Sequence, residues 1–208
     1  MRLQVAIDRV SVDQADEIIS QCNQYADIIE VGTSLIKDFG LENSVSVLKK
    51  KYYNQCILAD IKTCDEGAYE FHKAYEAGGD IPTVMGFSSI STLRACQIVA
   101  KEFGKEYMID LLEVSDEKLE VLKKEFPEAI FGVHLPLDNH GEGLEKMVLH
   151  MCGQMKGIKK IAVAGGVKLD NIDVIKRAGV DIVIVGSAIN QAENISEAAR
   201  KFAEAIRR

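Results

Sequence analysis

The sequence is short of the features that most readily place a chain in a special class. Its 208 residues include only three prolines, and its five cysteines (Cys22, Cys56, Cys64, Cys96 and Cys152) form no Cys-x-x-C pair. An odd number without paired spacing argues against a disulfide framework and for free thiols in a reducing compartment. No apolar run reaches the ~18 residues of a membrane span. The sequence enters a strand pattern at residues 3–8 without a secretory leader, so a cytoplasmic location is expected. Basic charge is also scarce. Against 32 Asp and Glu there are 25 Lys and Arg, a net charge of −7, which argues against nucleic acid or an anionic membrane as partner.

What the sequence does have is an alternation of two patterns. Short apolar runs predict strands at 3–8, 27–32, 56–61, 81–86, 106–112, 130–135, 160–165 and 182–186. Helical spacing predicts helices over 12–25, 41–52, 66–77, 89–103, 116–125, 143–154, 169–178 and 195–206. Strict alternation implies a parallel sheet with helices outside it. Runs such as Ile182-Val183-Ile184-Val185 suit a sheet buried on both faces. An open doubly wound sheet often has a glycine-rich turn after its first strand; here that turn is Asp8-Arg9-Val10-Ser11. The expectation is an α/β fold, a single (β/α)8 (TIM) barrel forming one catalytic domain over residues 1–208.

The chemistry of such a barrel lies at the C-terminal ends of its strands. Those ends carry Asp8, Glu30, Asp60 and Lys62 with Asp65 just beyond, Asp110, and His134. One acid at a strand end is ordinarily a turn former or a helix N-cap. Several at one mouth are costly, because carboxylates raise one another's pKa. Strand alternation predicts that Asp60 and Lys62 share an inward face, so that the acids gather about one ammonium group. Lys62 and a divalent cation would offset their repulsion. Oxygen donors without a cysteine or histidine cluster favour Mg²⁺, with Mn²⁺ as substitute, over zinc. His72 and His150 fall in helical stretches and read as surface or packing residues. His140 lies in a polar stretch, and a zinc pair with His134 lacks a third ligand. Strands seven and eight end in Ala164-Gly165-Gly166 and Gly186-Ser187, where this fold often holds a phosphate. Glycine lets the backbone approach an anion closely, and a helix N-terminus can assist.

The segment Asp60-Ile61-Lys62-Thr63-Cys64-Asp65 has the form Asp-x-Lys-x-x-Asp. With residues 3–8 and Asp27-Ile28-Ile29-Glu30-Val31-Gly32-Thr33, it resembles the orotidine-monophosphate-decarboxylase-like barrels. Within them it is similar to the branch of 3-hexulose-6-phosphate synthase and 3-keto-L-gulonate-6-phosphate decarboxylase. The resemblance implies that Glu30 and Asp60 bind Mg²⁺ and that Asp8, Lys62 and Asp65 contact substrate. It implies that Asp65 reaches the site of a neighbouring subunit in a homodimer. Both activities of the branch pass through a 1,2-enediolate of a five-carbon keto sugar phosphate. Lys62 would add positive charge where negative charge develops. His134 is the candidate general base, oriented by Asp110.

Four positions distinguish the two activities. The decarboxylases of the branch typically carry Glu, Arg, Thr and Arg where this chain has Asp110, Leu137, Ala164 and Ser187. The synthases tend to have Asp, an apolar residue, Ala and a small residue. The resemblance therefore implies a lyase that adds formaldehyde to D-ribulose 5-phosphate, with Ala164 in the substrate pocket. The alternative is decarboxylation of 3-keto-L-gulonate 6-phosphate. The pathway partner implied is a 6-phospho-3-hexuloisomerase. A non-catalytic barrel would be expected to have lost at least one member of the set, and none is missing.

Overall fold

The computed structural model describes residues 1–135, 143–155 and 157–208. Leu137 and His140 lie outside the described residues. Eight parallel strands close into a barrel in sequence order: β1 (Arg2–Ile7), β2 (Ile28–Val31), β3 (Cys56–Thr63), β4 (Ile81–Met85), β5 (Met108–Asp110), β6 (Ile130–His134), β7 (Ile161–Ala164) and β8 (Ile182–Val185). Pairing of β8 with β1, from Arg2↔Ile182 to Val5↔Val185, closes the ring. The expected TIM barrel is therefore the observed one. The largest differences are at β3, which runs on to Thr63, and β5, which is trimmed to three residues.

The outer layer comprises α1 (Val12–Cys22), α2 (Thr33–Leu41), a π-helical turn (Glu42–Ser46), α3 (Val47–Lys51), α4 (Gly67–Glu76), α5 (Ile90–Phe103), α6 (Asp116–Glu125), α7 (Leu144–Gln154), α8 (Ile172–Arg177), α9 (Ser187–Asn190) and α10 (Ile195–Arg207). Helix starts expected at 12, 89, 116 and 195 are observed at Val12, Ile90, Asp116 and Ile195, each fixed by a local cap. Ser11, Ser89, Ser115 and Asn194 each accept a hydrogen bond from the backbone N–H three residues on, worth about 1 kcal/mol apiece. The second helix starts at Thr33, not at 41 as expected. Gly40, at φ 73° and ψ 165°, is a break inside a longer helical stretch rather than a boundary before it. The four-residue α9 was not anticipated, because one turn is too short to show a period.

Alternation along the strands sorts the core into two shells. Ile28, Leu58, Ile81, Met108, Ile130, Ala162, Ile182 and Ile184 fill the barrel. Their neighbours, such as Ile29, Ile57, Ile109 and Val183, pack outward with the helices. At the opposite end from the chemistry, Asp27, Asp80 and Asp181 recur in one role. Each precedes a strand and accepts the backbone N–H of Leu3, Ile57 and Ile161 respectively, at 2.8–2.9 Å. The apolar filling thus has a tied-down floor and leaves the inward polar residues at the upper mouth.

Candidate active site

The site is organised by an irregularity in β3. Ala59 pairs with Pro82 and Thr63 with Val84, so β3 uses more residues than β4 over the same span. Within this bulge Lys62 adopts φ 48°, a left-handed conformation uncommon for lysine. Asp60 and Lys62 do face the same mouth, as expected. The reason is the bulge rather than plain alternation, which does not hold across a register jump.

From there a continuous row of charged side chains crosses the mouth. The Lys62 Nζ lies 3.0 Å from Asp60 Oδ2 and 3.2 Å from Asp110 Oδ2. The same Asp110 oxygen is 3.0 Å from His134 Nδ1. Asp110 Oδ1 accepts the Leu112 backbone N–H at 2.8 Å. Asp60 is held by two hydroxyls: Thr33 Oγ1 donates to Oδ2 at 2.6 Å and Thr83 Oγ1 to Oδ1 at 2.8 Å. Both Asp60 and Asp110 are 6% exposed, so these interactions act with little competition from water.

The electrostatics follow from burial set against neighbours. Burial disfavours the charged form of Lys62, but Asp60 and Asp110 outweigh it and hold the ammonium above the ordinary lysine range. Burial likewise pushes Asp110 up, yet His134 and Lys62 hold its carboxyl below the usual range. Glu30 goes the other way. Burial and then the Asp60 charge push it up to about 8, against the opposing effects of Gln4 and Lys62. The Gln4 Nε2 donates to Glu30 Oε2 at 2.6 Å.

The expected gathering of acids about one ammonium is therefore only partly realised. Asp60 and Asp110 touch Lys62, and Glu30 lies close enough to feel it. Asp8 is exposed just beyond β1, and its Oδ1 accepts from the Ser34 backbone at 2.9 Å and from the Ser34 hydroxyl. Gly32 makes that approach feasible, since a Cβ there would collide with Asp8. Asp65 is exposed and is not one of the acids paired with Lys62.

The glycine turns sit at the same end. Ala164 pairs with His134 across β6 and β7. Gly165 has φ 91° and Gly166 φ 75°. A Cβ on Gly165 would run into the Leu135 carbonyl oxygen, so close approach and backbone conformation both demand glycine. Gly186 precedes α9, and Ser187 is its first residue. The first N–H groups of a helix lack intrahelical partners.

Among the described residues, no three His, Cys, Asp or Glu side chains form a metal-binding group. The pair Glu30 and Asp60 nonetheless fits Mg²⁺ chemically. Two hard oxygen donors feel each other's charge in a buried setting that penalises their joint ionisation. Mg²⁺ is commonly held by one or two carboxylates, with water and substrate completing its shell. None of the five cysteines is bonded to another. No helix among the described residues is long and apolar enough to cross a membrane.

Sequence reasoning missed Thr33, Thr83 and the role of Gln4. The available signal was a polar residue at an inward position of an otherwise apolar strand, which applies to Gln4 and Thr83. Thr33 carried no comparable signal, because its contact depends on how β2 leads into α2.

Comparison with known proteins agrees with this fold. The sequence profile of the orotidine 5'-phosphate decarboxylase / HUMPS family matches residues 1–202. A protein named 3-hexulose-6-phosphate synthase from Bacillus subtilis (strain 168) is 34% identical over 212 aligned positions, covering 99% of each chain. A crystal structure of 3-hexulose-6-phosphate synthase superposes with a TM-score of 0.91 at 32% identity, covering 99% of this chain and 100% of that one. The 3-keto-L-gulonate-6-phosphate decarboxylase of Vibrio cholerae superposes with a TM-score of 0.87 at 26% identity, over 99% and 97% of the two chains. The chain belongs to the orotidine 5'-phosphate decarboxylase / HUMPS family and, like these relatives, is a lyase.

Proposed function

We propose that the protein catalyses Mg²⁺-dependent aldol addition of formaldehyde to D-ribulose 5-phosphate, forming D-arabino-3-hexulose 6-phosphate through a 1,2-enediolate. The observation that carries this reading is the row Asp60–Lys62–Asp110–His134 at the mouth of the barrel. Asp110 accepts from His134 Nδ1, which leaves Nε2 with a lone pair free to act as base. His134 removes the C1 proton of the keto sugar, and the Asp110 carboxylate stabilises the imidazolium that results. The C–H electron pair becomes the enediolate, whose negative charge develops facing the Lys62 ammonium. C1 then attacks formaldehyde to form the new C–C bond, and the imidazolium returns its proton to the formaldehyde oxygen. Glu30 and Asp60 would hold Mg²⁺, which would supply Lewis-acid charge to offset the enediolate.

Gly165, Gly166, Gly186 and Ser187 bind the phosphate, and Asp8 binds a substrate hydroxyl at the rim. Asp65, exposed in the loop after β3, contacts substrate bound to the other subunit of a homodimer. In this reading the enzyme acts in the cytoplasm, and a 6-phospho-3-hexuloisomerase takes up its product.

Both branch activities share the fold, so the choice rests on pocket residues. Leu137 and Ser187 are neutral where the decarboxylases carry arginine, and Ala164 is smaller than their threonine, which leaves no cation at 137 or 187 for a longer carboxylated substrate. Two parallel assays with Mg²⁺ test the proposal. One follows formaldehyde loss with ribulose 5-phosphate, the other CO₂ release from 3-keto-L-gulonate 6-phosphate. Formaldehyde loss is expected to be at least about tenfold faster, a barrier difference of ~1.4 kcal/mol. Dominant CO₂ release would overturn the synthase reading and leave the decarboxylase.

A further inference from the structure

Thr83 lies in β4 immediately after Pro82 and is 2% exposed. Its hydroxyl makes two hydrogen bonds with fixed roles. It accepts the backbone N–H of Lys62 at 2.9 Å. Its single proton is then directed to Asp60 Oδ1, at 2.8 Å. The bulge in β3 takes Lys62 out of the regular pairing between β3 and β4. A side-chain hydroxyl on the neighbouring strand receives the N–H instead. The same residue carries the left-handed φ of 48°, a conformation that persists only where its surroundings hold it.

We propose that Thr83 is a positioning residue whose hydroxyl locks the β3 bulge, so that the Asp60 carboxylate and the Lys62 ammonium face one point in the mouth. What those two groups do there rests on the proposed function; the locking itself does not. Thr33 provides a built-in contrast. It donates to the other Asp60 oxygen at 2.6 Å but does not bond the Lys62 backbone, so its loss leaves the bulge locked.

Three variants test this: Thr83→Val, which keeps the shape and loses the hydroxyl, Thr83→Ser, which keeps the hydroxyl, and Thr33→Val. At saturating Mg²⁺, Thr83→Val is expected to lower kcat by ~10–100-fold, the usual cost of losing an outer-shell partner. KM for ribulose 5-phosphate should stay within about threefold, because the phosphate is held by other loops. Thr83→Ser should recover kcat to within about threefold. Thr33→Val should weaken Mn²⁺ binding, read by electron paramagnetic resonance without substrate, yet leave Lys62 in its left-handed conformation. Crystal structures provide a readout independent of metal and substrate: in Thr83→Val, Lys62 should leave its left-handed conformation.

A Thr83→Val protein with unchanged Lys62 and Asp60 geometry overturns the proposal. So does wild-type kcat at saturating metal, or a Thr83→Ser enzyme as impaired as Thr83→Val. If Thr83→Val is too unstable to purify, Thr83→Cys takes its place under the same criteria, since a thiol bonds only weakly. A wild-type protein inactive on ribulose 5-phosphate and formaldehyde would defeat the functional reading alone, and the structural comparison would still decide the role of Thr83.

Discussion

Replacing Glu30 with glutamine should make the metal-free protein more stable, by an amount that grows with pH. Burial and the neighbouring Asp60 charge raise Glu30 from 4.5 to about 8 in the fold. Between those two values the folded chain binds more protons at this site than the unfolded chain does. Stability therefore falls as pH rises from about 4.5 to about 8, and the site adds no further change above that. One proton corresponds to ~1.4 kcal/mol per pH unit, so from pH 5 to pH 7 the loss is about 2 kcal/mol. Glutamine keeps the shape and still accepts from Gln4, but does not titrate. The stability gap between Glu30→Gln and wild type should widen by that amount, or ~4–8 °C in melting midpoint for a chain of this length. The assay is thermal melting with EDTA at pH 5, 6, 7 and 8, taking the difference at each pH so that contributions common to both proteins cancel. Adding Mg²⁺ should recover stability in wild type and not in the variant, because the cation requires the ionised carboxylate. A gap that stays constant from pH 5 to pH 8, or that narrows, would refute the reasoning.

His134→Ala is expected to slow exchange of the C1 proton of ribulose 5-phosphate by ~10²–10⁴-fold with little change in KM, as measured by deuterium wash-in. Exchange at the wild-type rate would remove His134 as the base. Gly165→Ala combines a side chain at φ 91° with a collision against the Leu135 carbonyl and should cost about 3 kcal/mol. Urea unfolding reads the loss. A variant within ~0.5 kcal/mol of wild type would show that this turn tolerates a side chain.

The architecture was legible because the signals behind it are local. Alternation of apolar residues with period 2 or 3.6 reflects which face of a strand or helix is buried, and neighbouring residues display it. Helix starts expected from that spacing at 12, 89, 116 and 195 fell within one residue of the observed ones, where each cap bonds only three residues along. Glu30, Asp60, Lys62, Asp110 and His134 could be assigned to one mouth because they stand at strand ends, and the fold collects those ends together.

Tertiary structure alone decided how these residues meet. Whether Lys62 reaches both Asp60 and Asp110 depends on the extra residues in β3 relative to β4, a relation between strands about twenty positions apart. Thr33 and Thr83 acquired their contacts with Asp60 across 27 and 23 residues. Asp8 and Glu30 both stand at strand ends in the sequence, yet Ser34 draws Asp8 to the rim while Gln4 holds Glu30 inside. The need for glycine at position 165 comes from Leu135, thirty residues earlier in the chain. Residue type and spacing therefore determined the barrel and the chemistry available at its mouth. Strand register and long-range hydrogen bonds determined the aim of each group, because they depend on the pairing of segments that only folding brings together.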